Sequence, residues 1–103
     1  MEALESPASI VLGTKSGYSQ EYHLNRLHFT IGSQVDADIM HPSLLLDHAE
    51  LRFEAGNWVI KKRNPDAVLS YKGIPVTLKK LNPGDIIEIN DTFLKYIGKV
   101  RAL

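Results

Sequence analysis

The regular spacing of short alternating segments is the feature that most restricts how this chain can fold. Segments with apolar side chains at every second position recur along the sequence, and Gly, Pro, Asn or Asp residues close each of them. An alternation of period two is typical of a β-strand with one buried face. No stretch keeps a helical period over the roughly ten residues that distinguish a helix from a strand. The chain is therefore predicted to be all-β, and many short strands at this spacing indicate a β-sandwich or a barrel.

The predicted strands begin at Ser9 and alternate with turns. We expect strands at Ser9–Leu12, Glu21–Leu24, Leu27–Ile31, Ala49–Phe53, Trp58–Ile60, Val68–Tyr71, Ile74–Leu78, Asp85–Ile89 and Thr92–Ile97. Apolar residues of these strands are expected to supply much of the core, namely Phe29, Ile31, Leu51, Phe53, Trp58, Ile60, Ile87 and Ile89. Residues 1–7 are predicted to be a disordered N-terminus, and residues 8–103 to form one domain.

Length and composition limit the class of protein. A chain of 103 residues suffices for one compact domain. Its 12 basic and 12 acidic residues cancel, so no overall field attracts it to nucleic acid. It has no cysteine, which excludes disulfides and thiolate chemistry. Because the sequence has no apolar run long enough to span a bilayer, we expect a cytoplasmic domain. A cytoplasmic domain of a membrane-anchored protein is an alternative.

Five motifs occur in a fixed order between Leu27 and Ile97. They are Phe29-Thr30-Ile31-Gly32 followed by Asp38-Ile39, then His48-Ala49-Glu50-Leu51, Trp58-Val59-Ile60 running to Lys72-Gly73, Leu81 to Ile87 with the letters LNPGDII, and Phe93–Ile97. In this order and spacing they resemble the forkhead-associated (FHA) domain. The resemblance implies a two-sheet antiparallel β-sandwich of the FHA/SMAD type, a non-catalytic interaction module and a bacterial protein.

The resemblance also implies structural roles for a few residues. Gly32 and Gly84 stand where the chain reverses or where backbones approach closely. Gly73 closes a turn that is similar to the family's second "NG", and Asp85 belongs to a turn similar to "LxxGDxI". His48 matches the structural histidine that bridges loops beneath the binding surface of the family.

The positions that read phosphothreonine in the family hold other residues in this chain. In the family's register, Ser33 replaces an arginine, Leu45 and Leu46 replace a serine and an arginine, Ala67 followed by Val68 replaces the first "NG", and Lys72 replaces the second asparagine. A phosphothreonine carries about −1.5 to −2 charge at pH 7 and three acceptor oxygens that need partners. We therefore expect no recognition of a phosphothreonine peptide.

The candidate interaction surface comprises these replaced positions and one basic residue: Ser33, Leu45, Leu46, Arg63, Ala67, Val68 and Lys72. Its partner is expected to be another protein, another domain of the same chain or a second copy. Leu45 and Leu46 either pack back on the domain or contact that partner. Two alternatives stay open: a phosphate site relocated to Lys61-Lys62-Arg63, and a structural role in the inner-membrane ring of a bacterial secretion system instead of a signalling protein.

Other chemistry is not expected. The acidic and histidine residues Asp36, Asp38, His41, Asp47 and His48 match no zinc or calcium loop in their spacing. Ser70 lacks the neighbouring glycines of a nucleophile elbow. The sequence therefore predicts no catalytic residue, no metal site and no cofactor.

Overall fold

A computed structural model describes residues 8–98, which form eleven β-strands. The strands are β1 (Ser9–Thr14), β2 (Ser19–His23), β3 (His28–Gly32), β4 (Ile39–Met40), β5 (Ala49–Glu54), β6 (Asn57–Lys62), β7 (Leu69–Tyr71), β8 (Ile74–Val76), β9 (Leu78–Lys80), β10 (Ile86–Ile89) and β11 (Thr92–Gly98). No helix that could span a membrane occurs between residues 8 and 98. The predicted disordered segment 1–7 and the last part of the predicted domain, 99–103, lie outside the described residues.

The strands form two sheets that pack face to face. The six-stranded sheet has the order β2-β1-β11-β10-β7-β8, and the five-stranded sheet has the order β4-β3-β5-β6-β9. All pairs are antiparallel except β3 with β4. Ser9 on β1 pairs with Gly98 on β11, so the two ends of the described chain are neighbours. The prediction of an all-β, two-sheet sandwich is confirmed.

The core consists of the side chains that both sheets turn inward. Its fully enclosed members are Ile10, Leu12, Leu24, Ile31, Ile39, Leu51, Ile60, Leu69, Ile87, Ile89 and Leu94. Seven of the eight predicted core residues are buried, but Phe53 is 42% exposed, so that prediction is wrong. Phe53 lies one pair before the β5–β6 turn, at the margin of the core, and its ring packs against Trp58 at 5.4 Å between centroids.

The predicted strand Ile74–Leu78 is also wrong, because it is two strands that belong to different sheets. β8 pairs with β7 in the six-stranded sheet, and β9 pairs with β6 in the five-stranded sheet. Thr77 lies between them, and its carbonyl accepts a hydrogen bond from the Lys62 amide at 2.9 Å. The chain thus changes sheets within one residue, which an alternating pattern does not reveal.

The Asp85 carboxylate joins the two sheets at the end of the sandwich where β7 ends and β10 begins. Asp85 Oδ1 accepts from the Tyr71 hydroxyl on β7 at 3.0 Å, and Oδ2 accepts from Lys79 Nζ on β9 at 3.0 Å and from the Asn82 amide at 2.9 Å. Burial works to raise the pKa of Asp85, but these three donors outweigh it and hold the pKa below its usual value. Gly84 precedes Asp85 with φ +91°, a conformation that L side chains rarely adopt.

The Asp85 contacts predict a large cost of removing this carboxylate. Asp85→Ala leaves Lys79 and Tyr71 without their acceptor, and we expect the free energy of unfolding to fall by about 2–3 kcal/mol. Asp91→Ala, a matched change at an exposed aspartate in the following turn, should change it by less than about 0.5 kcal/mol. Urea unfolding measures both. Equal effects of the two substitutions would contradict the bridging role of Asp85.

Candidate functional site

Five connections meet at one end of the sandwich, which we call the apical end. They are the segments 15–18, 33–38, 41–48, 63–68 and 90–91, which join β1 to β2, β3 to β4, β4 to β5, β6 to β7 and β10 to β11. The strand registers bring them together, since Ala49 pairs with both Ile31 and Lys62 in one sheet, and Thr14 pairs with Thr92 in the other. Six of the seven predicted surface residues lie in these connections.

Contacts between connections of different sheets close the apical end. The side-chain Nδ2 of Asn90 donates to the Ser43 carbonyl at 3.4 Å, and the centres of the Tyr18 and His41 rings are 5.3 Å apart. The 41–48 segment is therefore held from the six-stranded sheet at two points. Its first part is also ordered internally, because His41 Nδ1 lies 2.8 Å from the Ser43 hydroxyl.

His48 joins the 41–48 and 63–68 segments from inside the protein. Its side chain is fully buried, and its Nδ1 accepts a hydrogen bond from the Leu45 amide at 3.1 Å. Since Nδ1 is an acceptor, Nε2 carries the proton and donates to the Val68 carbonyl at 3.3 Å. Burial lowers the pKa of His48, and the bond to Val68 only partly opposes this. The neutral imidazole therefore bridges two loops, in the manner implied by the resemblance.

A glutamine that sequence analysis did not single out joins the 33–38 and 41–48 segments. Gln34 Oε1 accepts from the Asp47 amide at 2.8 Å. The side chain crosses directly over Gly32, where an added Cβ would lie 2.9 Å from the Asp47 nitrogen and closer still to Gln34. Glycine at position 32 thus permits this close approach, although its φ is not positive. The trace of this contact in the sequence is an amide side chain two residues after a glycine, a pattern too common to predict it.

An asparagine performs the corresponding task between the 41–48 and 63–68 segments. Asn64 Nδ2 donates to the Leu46 carbonyl at 2.9 Å, and Asn64 Oδ1 accepts from the Asp66 amide at 2.8 Å. The second bond is an Asx turn, which accounts for the turn sequence Asn-Pro-Asp at positions 64–66. Together with His48 and Gln34, Asn64 makes the three loops one rigid unit.

Asp38 fixes the base of the 33–38 segment. Its Oδ2 accepts from the Thr30 amide at 2.9 Å, and its Oδ1 accepts from Arg26 at 2.9 Å. Burial works to raise the pKa of Asp38, but Arg26 and Thr30 outweigh it and lower the pKa. Asp38 is thus engaged as a structural acceptor. Within residues 8–98, no group of three His, Asp or Glu side chains is placed to hold a metal ion.

Arg63 is occupied by carboxylates of its own chain. Its Nε donates to both oxygens of Asp47, at 3.1 and 3.2 Å, and its Nη1 lies 3.7 Å from the buried Glu50. These neighbours raise the pKa of Arg63, with the hydrogen bond to Asp47 as the largest cause. Lys62 Nζ lies 3.5 Å from the Pro65 carbonyl. A phosphate arriving here would have to displace Asp47 or be placed beside it.

The leucines of the 41–48 segment are not equivalent. Leu44 is buried at 4% exposure, as the family's register implies, and Leu45 is half-buried. Leu46 is 64% exposed, so it does not pack back on the domain. Ala67 is buried, whereas Val68 beside it is 51% exposed. Of the two possibilities left open by the sequence, local packing therefore describes Leu45 in part and does not describe Leu46.

Three further apolar residues are exposed at the apical end and were not predicted. Val35 is 94% exposed in the 33–38 segment, and Met40 and Tyr18 are each 43% exposed. With Leu46 and Val68 they form what we call the apical apolar surface, which consists of Tyr18, Val35, Met40, Leu46 and Val68. Ser33 is half-buried beside it, and its amide donates to the Leu45 carbonyl at 3.1 Å. Isolated apolar residues in loops carry no sequence signal, because only the fold brings them together.

Lys72 is the one member of the predicted surface that lies elsewhere. It occupies the turn between β7 and β8 with Gly73, and both have positive φ, as a two-residue hairpin turn requires. Its ammonium lies 5.3 Å from the centre of the Tyr71 ring. It lines an open depression of about 430 Å³ together with Asp85, Ile86 and other residues at the end opposite the apical loops. Lys72 therefore does not join the other six residues.

The His48 geometry predicts a pH dependence of stability. Because burial holds the pKa of His48 below the ordinary value of 6.5, its stabilising contribution is complete above pH 6.5 and is lost as the pH falls through the folded-state pKa. We expect urea unfolding to give a lower free energy at about pH 5.5 than at about pH 7.5. His48→Gln should lose most of this acid sensitivity, whereas His23→Gln, a change at an exposed imidazole, should retain it. A wild-type protein that becomes more stable on acidification would contradict a neutral, buried His48.

Comparisons with known proteins place this architecture. No protein-family model matches the sequence, and no curated protein sequence matches it. Similar solved structures include the Slr1951 protein from Synechocystis sp. (22% identity, TM-score 0.79, covering 93% of this chain and 99% of that one) and the FHA domain of the CT664 protein from Chlamydia trachomatis (17%, 0.78, 90% and 98%). Mycobacterium tuberculosis EmbR, solved with a low-affinity phosphopeptide, is also similar (21%, 0.77, 100% and 27%). The chain therefore has the forkhead-associated fold, as its five motifs predict.

Proposed function

We propose that this chain is a non-catalytic protein-interaction domain that contacts its partner through the apical apolar surface and does not read phosphothreonine. The observation that carries the proposal is the exposure of Val35, Leu46 and Val68 on three loops that are hydrogen-bonded to one another. Apolar side chains on rigid loops bury area on binding at little cost in conformational entropy. The FHA fold of the domain, which in its relatives serves interaction and not catalysis, agrees with this function.

The residues at the phosphate-reading positions argue against recognition of phosphothreonine. Ser33, Leu45 and Ala67 offer neither a guanidinium nor an accessible amide side chain, and the Arg63 guanidinium is taken by Asp47. Each charge-assisted hydrogen bond contributes roughly 1.5–3 kcal/mol, so the loss of several leaves too little binding energy. EmbR, part of which has a similar fold, was solved with a low-affinity phosphopeptide, so it is the loop residues of this chain and not its fold that argue against phosphothreonine.

The buried histidine of the site is not arranged for proton transfer, which supports a non-catalytic role. His48 is the buried histidine of the site, and both of its ring nitrogens are engaged with backbone groups. It can therefore neither accept nor deliver a substrate proton without breaking the bridge between loops. We further propose that the domain belongs to a bacterial signalling or secretion-associated protein; the bacterial origin of several structural neighbours supports the bacterial part of this proposal.

The first test concerns phosphate. Degenerate peptide pools with a fixed phosphothreonine, and the same pools with threonine, are titrated against the domain by fluorescence anisotropy. We expect no binding that depends on the phosphate, since Ser33, Leu45 and Ala67 stand at the reading positions and Asp47 binds the Arg63 guanidinium. Micromolar binding that requires the phosphate and is lost in Lys62→Ala or Arg63→Ala would contradict the proposal and establish a relocated basic site.

The second test concerns the apolar surface. Leu46→Ser with Val68→Ser should leave stability within about 1 kcal/mol, because both side chains are exposed, and should abolish binding to peptides selected from a displayed random library. Ile74→Ser with Ile86→Ser, an equal loss of exposed apolar area away from the apical end, should leave that binding intact. Leu44→Ala, within the core, should instead cost about 2–4 kcal/mol of stability. Undiminished binding by the Leu46 and Val68 double variant would overturn the proposed function.

A further inference from the structure

The apical apolar surface is surrounded by carboxylates. The five apical connections carry five aspartates, at positions 36, 38, 47, 66 and 91. Asp38 is bound by Arg26 and Asp47 by Arg63. Asp36, Asp66 and Asp91 are exposed, and none of them forms an ion pair with another residue in the described part of the chain.

These three carboxylates lie beside the apolar side chains on different loops. Asp36 follows Val35 directly, and Asp66 is two residues before Val68. Gln34 and Asn64 fix both loops to the segment that carries Leu46, so these charges and apolar groups belong to one rigid surface. Asp91 stands next to Asn90, which is bonded to the other end of the same segment.

The lysines near the apical end, Lys15, Lys61 and Lys62, equal these three aspartates in number but lie on other segments. Arg63 faces two carboxylates, those of Asp47 and Glu50. Lys62 stands at the end of β6 with its ammonium near the Pro65 carbonyl, and Lys15 lies in the β1–β2 turn. Among residues 8–98, no basic side chain forms an ion pair with Asp36, Asp66 or Asp91. Asp36 and Asp66 are nevertheless the charged residues nearest in sequence to Val35 and Val68, and their sign is the opposite of what a phosphate requires.

We propose that the apical surface selects an unphosphorylated polypeptide segment in which apolar side chains are flanked by lysine or arginine, and that phosphorylation of this segment weakens binding. The inference rests on the proposed function, since it assigns a partner chemistry to the same surface. Apolar burial supplies the affinity, and the three aspartates supply the preference for basic flanks. A phosphate dianion introduced near them is repelled, so the domain responds to phosphorylation with a sign opposite to that of a phosphothreonine reader.

The experiment uses a random twelve-residue peptide library displayed on phage and selected against the wild-type domain. Selected sequences are expected to combine apolar residues with Lys or Arg. One selected peptide is then synthesised in three forms: unchanged, with its basic residues replaced by Gln, and with one flanking phosphoserine. We expect both changes to weaken binding by about threefold to tenfold at low salt, and the differences to shrink as salt is added.

Matched variants decide whether the three aspartates are responsible. Asp36→Asn with Asp66→Asn and Asp91→Asn should remove most of the discrimination between the three peptides. Glu21→Gln with Glu54→Gln and Glu88→Gln makes the same change in net charge away from the apical end and should preserve it. Discrimination that is unchanged in the aspartate variant, or tighter binding of the phosphorylated peptide, would overturn the inference.

The same peptides separate this inference from the proposed function. If Leu46→Ser with Val68→Ser abolishes binding while the aspartate variant behaves as wild type, the apolar surface stands and the preference for basic flanks falls. If the selection yields no peptide whose binding depends on Leu46 and Val68, both fall together.

Discussion

The bridge made by the neutral His48 imidazole is the interaction on which the apical end depends. The ring is fully buried, and it accepts from the Leu45 amide and donates to the Val68 carbonyl, so both ring nitrogens and two backbone groups of the loops are satisfied. The His48 carbonyl in turn accepts from the Arg63 amide at 3.0 Å. His48 thereby holds together, with Asn64, the two loops that carry Leu46 and Val68. Their side chains are exposed because the backbone beneath them is held.

Scaffold and recognition surface are therefore separable in this chain. The groups that hold the loops are buried or hydrogen-bonded within the domain, as for His48, Gln34 and Asn64. The groups that face outward carry no structural task, which is why Val35 and Leu46 can be apolar without loss of the fold. A phosphate-reading surface and an apolar surface are alternative uses of the same braced loops. The aspartates that neighbour Val35 and Val68 in the sequence favour the second use, which is the one that we propose for this chain.

The sequence predicted the parts of the structure that repeat or that depend on a single residue type. Alternation in Phe29–Ile31 and Ile87–Ile89 identified strands and an inward face correctly, because the period of a strand is local. The exposure of Phe53 depends on where the core ends, and the break within Ile74–Leu78 depends on which sheet is nearer. Both are properties of the assembled fold and not of the local sequence. Lys72 was grouped with the apical residues by family register alone, and the hairpin turn carries it to the other end. Pairings of distant loops, such as Gln34 with Asp47, have no pattern in the sequence at all.

We propose that the partner contacts the apical apolar surface, and neither the basic segment Lys61–Arg63 nor the depression lined by Lys72. The most direct measurement is a two-dimensional ¹H–¹⁵N NMR titration of the domain with an unphosphorylated peptide selected for binding. At equimolar peptide and protein and at moderate salt, we expect the largest chemical-shift changes at the backbone amides of Val35, Leu46 and Val68. Largest shifts at Lys61–Arg63, or around Lys72 and the depression beside Ile86, with those three amides unmoved, would contradict it.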